Sequence, residues 1–160
     1  MPVNPIPEGY RSITPYLCIA GAAKAIDFYT QALGAKEIAR MPGPEDKLMH
    51  AEIRIGDSMI MLSDEFAEMG NCKSPKSLGA TSCSIMIYVP DCDRIYKQAV
   101  DAGARGLMPP ADMFWGDRMS QIVDPFGHVW SIATHVEDVS PDQVNERAAA
   151  FMAGADGHSV

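Results

Sequence analysis

Residues 114–135 read FWGDRMSQIVDPFGHVWSIATH, and their order of apolar and turn residues is that of a β-hairpin. MSQIV forms a short strand, Asp124-Pro125-Phe126-Gly127 a tight turn, and HVWSIAT the returning partner. Pro125 presets φ at the second turn position, and Gly127 accepts the positive φ that other residues resist. The flanking runs are therefore expected to pair. Just upstream, Phe114 and Trp115 crowd against Gly116, Asp117 and Arg118. Such a loop either edges a pocket, or plugs the end of a core while Asp117 and Arg118 pair at the surface.

Working outward, the same order of elements occurs twice. SIMIYV from Ser84 reads as a strand, Pro90-Asp91 as a break, and CDRIYKQAVDAGA as a helix ending at Gly103; RGLM leads from it to the hairpin. In the first half, Ile13 to Ile19 read as a strand. AAKAIDFYTQALGA then carries Ala22, Ala25, Ile26, Tyr29 and Leu33 at helical spacing up to Gly34. KEIAR, LMHAEIRI, Gly56-Asp57 and SMIML follow. Matched positions (Thr14 with Ser84, Met49 with Met119, Gly56 with Gly127) keep an offset of about 70 residues, which points to a duplicated unit.

The fold class is α+β: two tandem βαβββ modules whose curved mixed sheets form a cleft. The divisions expected are an N-terminal arm 1–9, a first module 10–66, a polar linker 67–79 rich in Gly, Ser and Lys, a second module 80–138, and a C-terminal helix with a disordered tail over 139–160. Ser140 suits the N-cap of that helix, Pro141 its first position and Gly154 its stop. Alternation in LMHAEIRI assigns Met49, Ala51, Ile53 and Ile55 to the helix side and His50, Glu52 and Arg54 to the other.

Composition narrows the partners. A formal net charge of −8 with no basic stripe argues against nucleic acid and anionic membrane surfaces. No apolar run approaches the roughly 20 residues of a membrane helix, and the expected location is the cytoplasm. Cys18, Cys72, Cys83 and Cys92 lack zinc-like spacing and read as reduced packing residues. The 11 methionines suit irregular core gaps or an adaptable pocket.

The tandem modules, with FYTQALGA closing the first helix and DPFGHVW near the end, resemble the vicinal oxygen chelate superfamily of glyoxalases, ring-cleaving dioxygenases and bleomycin- and fosfomycin-resistance proteins. Together, ITPYL, MHAEIRIGDSMIMLSDE and FWGDR…DPFGHVWSIATHVED are similar to its PhnB-like, glyoxalase-related branch. The resemblance implies one divalent metal with four His, Glu or Gln ligands, from the first and last strands of each module. By that alignment the positions fall on Thr14, Ser84, Ser131 and either Ile60 or Met61. A hydroxyl or thioether is a poor ligand for a hard or borderline divalent cation, so no metal or other cofactor is expected at these positions.

Two functions follow. One is a metal-free cleft that binds or sequesters a small organic molecule, as the resistance proteins suggest, with Tyr16, Tyr88, Phe114 and Trp115 stacking on a planar guest and Arg118 at the rim. The other is a glyoxalase-like lyase or isomerase without the standard metal site, in which His50 or Glu52 acts as general base and Arg118 steadies an anionic intermediate. His50 and Glu52, about 7 Å apart along one strand, also admit a relocated divalent metal as a lesser alternative, whereas His128 shares the parity of Trp130 and points away from Ser131. The resemblance further implies a homodimer, with the modules paired within one chain or swapped between two.

Overall fold

Each half of the chain folds as strand, helix and three strands in the computed structural model, which describes residues 3–68 and 72–155. The first half comprises β1 (Tyr16–Ile19), α1 (Ala22–Leu33), β2 (Lys36–Pro42), β3 (Leu48–Ile55) and β4 (Ser58–Asp64). A short helix α2 (Pro75–Leu78) precedes β5 (Ser84–Tyr88), α3 (Cys92–Asp101), β6 (Arg105–Asp112), β7 (Asp117–Val123) and β8 (Val129–His135). Helix α4 (Pro141–Ala155) follows.

The strand orders β1-β4-β3-β2 and β5-β8-β7-β6 are the same, and in each sheet only the first pairing is parallel. The correspondence extends to register. Tyr16, Met61 and Glu52 form one cross-strand row, and Met86, Ser131 and Gln121 form its counterpart. The result is two mixed four-stranded sheets that are not closed into a barrel.

One continuous core joins the halves. Ala51, Ile53, Ile55, Ile60 and Leu62 of the first sheet, Ile122, Trp130 and Ile132 of the second, and the apolar faces of α1 and α3 belong to it. Full burial of a side chain such as Ile53 or Leu62 stabilises by about 2 kcal/mol. The helices also touch each other: Gln98 Nε2 donates to the carbonyls of Gln31 and Ala32 at 2.7 and 3.2 Å. Both helices therefore lie on one side, and the two sheets share an uncovered opposite face.

Each helix takes its N-terminal partner from the last strand of its own module. Asp64 Oδ1 accepts from the amides of Gly21 and Ala22, and Oδ2 from the Leu48 amide. At the matching position Thr134 Oγ1 accepts from the Cys92 amide at 2.9 Å and donates to the Val89 carbonyl at 2.8 Å. Both satisfy amides that the helix itself leaves without partners.

Several local features differ from the sequence expectation. The first strand begins at Tyr16 rather than Ile13, because Pro15 has no amide to donate and disfavours helical or regular pairing before it. Met49 is exposed and Leu48 buried, since a register shift between Met41 and Pro42 turns the strand there; Ala51, Ile53 and Ile55 are buried as their alternation predicts. Of the described linker residues, Ser74 and Pro75 are buried and pin it to the first module, while the others are exposed. Glu65 accepts three hydrogen bonds, from the Ser74 amide and hydroxyl and the Ser77 hydroxyl, and Ser74 is fully buried. Of the cysteines, Cys18 and Cys92 are buried whereas Cys72 and Cys83 are exposed. In α4, Ser140 and Gln143 cap one another reciprocally, and the helix continues through Gly154 to Ala155. The expected disordered tail lies outside the described residues beyond that point.

Candidate functional site

The hairpin turn is anchored in the core through Asp124 and Phe126, while Pro125 stays exposed. Asp124 accepts the Phe126 and His128 amides on Oδ1, and Tyr29 Oη and Trp130 Nε1 on Oδ2, at 2.7 to 3.0 Å. A buried carboxylate needs such a full set of donors. Phe126 packs edge-on against Phe28 and Tyr29 of α1, so the turn anchors the second module to the first helix.

On the uncovered face of the first sheet, Tyr16 Oη lies 3.0 Å from His50 Nδ1, and His50 Nε2 lies 3.2 Å from Glu52 Oε1. The imidazole is thus held between a hydroxyl on one nitrogen and a carboxylate on the other. Tyr10, at the start of the first module, donates its hydroxyl to Glu52 beside the His50 contact. That bond, with lesser help from His50, holds the Glu52 carboxyl below its usual value against the effect of burial. Burial and the neighbouring carboxylate push the Tyr10 phenol up to about 12.

The second sheet carries a related cluster around Asp117. Tyr88 Oη and Trp115 Nε1 donate to its Oδ2 at 2.9 and 3.0 Å, and His135 Nδ1 meets its Oδ1 at 2.9 Å. Burial raises the Asp117 carboxyl, but the bonds from His135, Tyr88 and Trp115 outweigh it and leave it below the ordinary range. His135 is raised, by Asp138 at its other nitrogen first and by Asp117 second. Asp117 faces His135 across β7 and β8, and His135 shares its strand face with Ser131, so period-two alternation along the last strand is the signal that finds this pair.

The remaining expected site residues are not gathered at one point. Arg118 lies on the helix-facing side and pairs with Asp93 of α3 and with Asp112, not with Asp117. Its alternation with Ser120 and Ile122, both buried on that side, accounts for this. Phe114 packs edge-on with Trp115 at 4.8 Å between ring centres and against Phe151 of α4 at 5.7 Å. Two grooves flank the place where the edge strands β1 and β5 approach. One, of about 650 Å³, includes Tyr88; the other, of about 690 Å³, includes Tyr16; His50, Glu52 and Trp115 line neither.

The glyoxalase/bleomycin resistance protein/dioxygenase superfamily matches this chain over residues 13–132, spanning both modules. The chain belongs to that superfamily. A protein of Mycobacterium bovis, Mb0911c, is 40% identical over 148 residues, which cover 91% of this chain and 95% of that protein. Among solved structures, TioX from Micromonospora sp. ML1 superposes with a TM-score of 0.64 at 23% identity, over 79% of this chain and 99% of its own. The PhnB protein from Bacillus cereus does so with a TM-score of 0.60 at 16% identity, over 78% and 99%. Both share the superfamily fold.

The superfamily's usual divalent metal does not fit the donors here. Of the aligned positions, Thr14 precedes β1, Met61 rather than Ile60 shares the Tyr16–Glu52 row, Ser84 is exposed, and buried Ser131 accepts from Gln121 Nε2 at 3.1 Å. Ile60 belongs to the core. Hydroxyls and a thioether do not substitute for imidazole and carboxylate. Among the described residues, no group of three or more His, Cys, Asp or Glu is placed to hold a metal ion, and no helix is long and apolar enough to cross a membrane.

Proposed function

We propose that this superfamily member binds a small organic molecule on the uncovered faces of its two sheets, through its own side chains and without the usual metal. The observation that carries the reading is the exchange of chemistry between positions. Thr14, Met61, Ser84 and Ser131 stand where metal ligands are expected, while Tyr16 and Tyr88 remain 50% and 63% exposed beside them. Exposed phenol rings held by their hydroxyls suit a planar guest, with Trp115 and Phe114 extending the aromatic surface. A net charge of −8 favours a cationic one. Arg118, engaged by two carboxylates, takes no part.

We further propose that the protein acts as a cytoplasmic homodimer. Met41 and Met49 of the first sheet are exposed apolar surface, apart from the tyrosines, that a second copy would cover. Light scattering at micromolar concentration tests this part, and a monomer would remove it.

The binding reading is tested by a thermal-shift screen of aromatic cations, glycopeptides and glutathione adducts of 2-oxoaldehydes, followed by product analysis. Stabilisation without turnover is the expected outcome. Turnover that disappears in His50→Ala or Glu52→Gln would favour a metal-independent lyase or isomerase. The observation behind that second reading is an imidazole oriented between a hydroxyl and a carboxylate, an arrangement suited to general-base work. A metal relocated to His50 and Glu52 would have to displace at least one of those hydrogen bonds.

A further inference from the structure

The two sheets end in four edge strands, and three of these carry features that discourage further pairing. β2 bears Lys36, Glu37 and Arg40 with two register shifts, and β6 bears Pro109 and Pro110 with two more. β1 is four residues long, α2 packs against it, and Cys18 Sγ donates to the Cys72 carbonyl of the linker at 3.3 Å. β5 has none of these protections. Its sequence SIMIY contains no proline and no charge, favours extended backbone, and pairs with β8 without a shift.

The free edge of β5 is a row of backbone groups. The Val89 amide donates to the Ala133 carbonyl of β8 at 2.8 Å, so by alternation Ile85 and Ile87 also turn their amides and carbonyls toward β8. Ser84, Met86 and Tyr88 turn theirs outward. Among the described residues, no backbone group pairs with the outward amides and carbonyls of Met86 and Tyr88.

The two grooves meet along this edge: Pro15, Ile85 and Met86 line both, and one runs on to Pro90 while the other runs back to Ser82. No Cα of β1 lies within 8 Å of one in β5, whereas paired strands lie about 4.8 Å apart. The gap therefore admits another backbone. On its far side stand Ile13, Pro15, Tyr16 and Leu17. A strand with its own sheet behind it would have to take the place of these residues, so the gap suits a lone extended segment. The charged lining residues are Arg11, Lys73 and Arg94 against Asp57 alone, a basic balance in a chain of net charge −8.

We propose that β5 accepts an extended peptide, apolar along its middle and acidic at its ends, as an added strand in the gap between the sheets. Ile85 and Ile87 meet its side chains on the helix side, Met86 and Tyr88 on the open side. Tyr88 belongs to both this edge and the sheet face, but the proposal does not depend on the small-molecule reading.

The test is amide hydrogen exchange, followed by NMR, on the intact protein with acetyl-Glu-Val-Thr-Ile-Val-Glu-amide. With the peptide bound, the Met86 and Tyr88 amides should exchange about tenfold more slowly, while those of Ile87 and Val89, already bonded to β8, change little. The fully N-methylated peptide keeps the side chains without the backbone donors and should bind about tenfold more weakly; so should the peptide with lysine ends. Met86→Pro, which removes one outward donor where an edge tolerates proline, should weaken binding with the fold verified by thermal melting. On the unmodified protein, no slowing at Met86 and Tyr88 up to millimolar peptide overturns the proposal. Equal binding of the N-methylated peptide does the same, and equal binding of the lysine-ended one removes the acidic class. Concentration-dependent protection of Met86 and Tyr88 without peptide would assign the edge to a second copy and overturn it. Shifts confined to His50, Glu52 and Asp117 would overturn it while leaving the sheet-face reading standing.

Discussion

Tyr29 of the first module donates its hydroxyl to Asp124 of the second at 2.7 Å, a side-chain hydrogen bond that joins the two halves inside their shared core. Burial and the neighbouring carboxylate push the Tyr29 phenol well above its ordinary value, so it remains a donor throughout the working pH range. Removing the partners should have unequal effects. Tyr29→Phe loses one donor and should cost about 1–2 kcal/mol, whereas Asp124→Asn sets an amide NH₂ against donors and should cost about 3 kcal/mol or more in urea unfolding. An Asp124→Asn cost under about 1 kcal/mol would contradict the anchoring role.

Gly116 fixes the loop that presents Trp115 and Asp117. Its φ is +98, its carbonyl accepts the amides of Val136 and Glu137, and a Cβ there would strike the Glu137 backbone. Gly116→Ala should destabilise by about 2 kcal/mol or more, and the Trp115 fluorescence should shift as the indole loses its bond to Asp117. Wild-type stability with unchanged emission would refute this assignment.

The histidines should separate in an NMR pH titration. His135 has a folded pKa raised above 6.5 by its carboxylates, and His128 one lowered below 6.5 by burial. For His135 the sign is that of a raised group: its stabilising contribution is complete below 6.5 and fades as pH rises through its folded value. Asp117→Asn should bring His135 downward. Titration of His128 above His135 would exclude the described environments.

Docking of the linker should depend on acid. The hydroxyls of Ser74 and Ser77, then the Ser74 amide, hold the Glu65 carboxyl at about 2 against an ordinary 4.5. A depressed folded value contributes above the unfolded value and is lost as pH falls through the folded one. The melting-temperature gap between wild type and Glu65→Gln should therefore be constant near neutrality and close between 4.5 and 2. A gap that widens on acidification would reverse the assignment.

The duplicated topology was legible because it rests on local signals: the helical spacing of Ala22, Ile26 and Tyr29, the stops at Gly34 and Gly103, and the Asp-Pro-Phe-Gly turn. The inward set Ala51, Ile53 and Ile55 also followed from alternation alone. Met49 escaped because a shift in register is a property of the pair of strands, not of either one. Arg118 could have been placed by counting back from Ile122, yet the adjacent Asp117 suggested a local pair that strand geometry forbids. The two polar clusters join residues distant in sequence, as with Tyr88 and Asp117, and Glu65 reaches the linker through a turn that its composition does not reveal.

The most direct test of metal-free binding is a titration of the strongest stabiliser from the ligand screen, performed with and without a chelator. The account predicts the same affinity in both, weakened by Tyr16→Ala and by Trp115→Ala. Loss of binding in the chelator, restored by one equivalent of a divalent ion per chain, would contradict it.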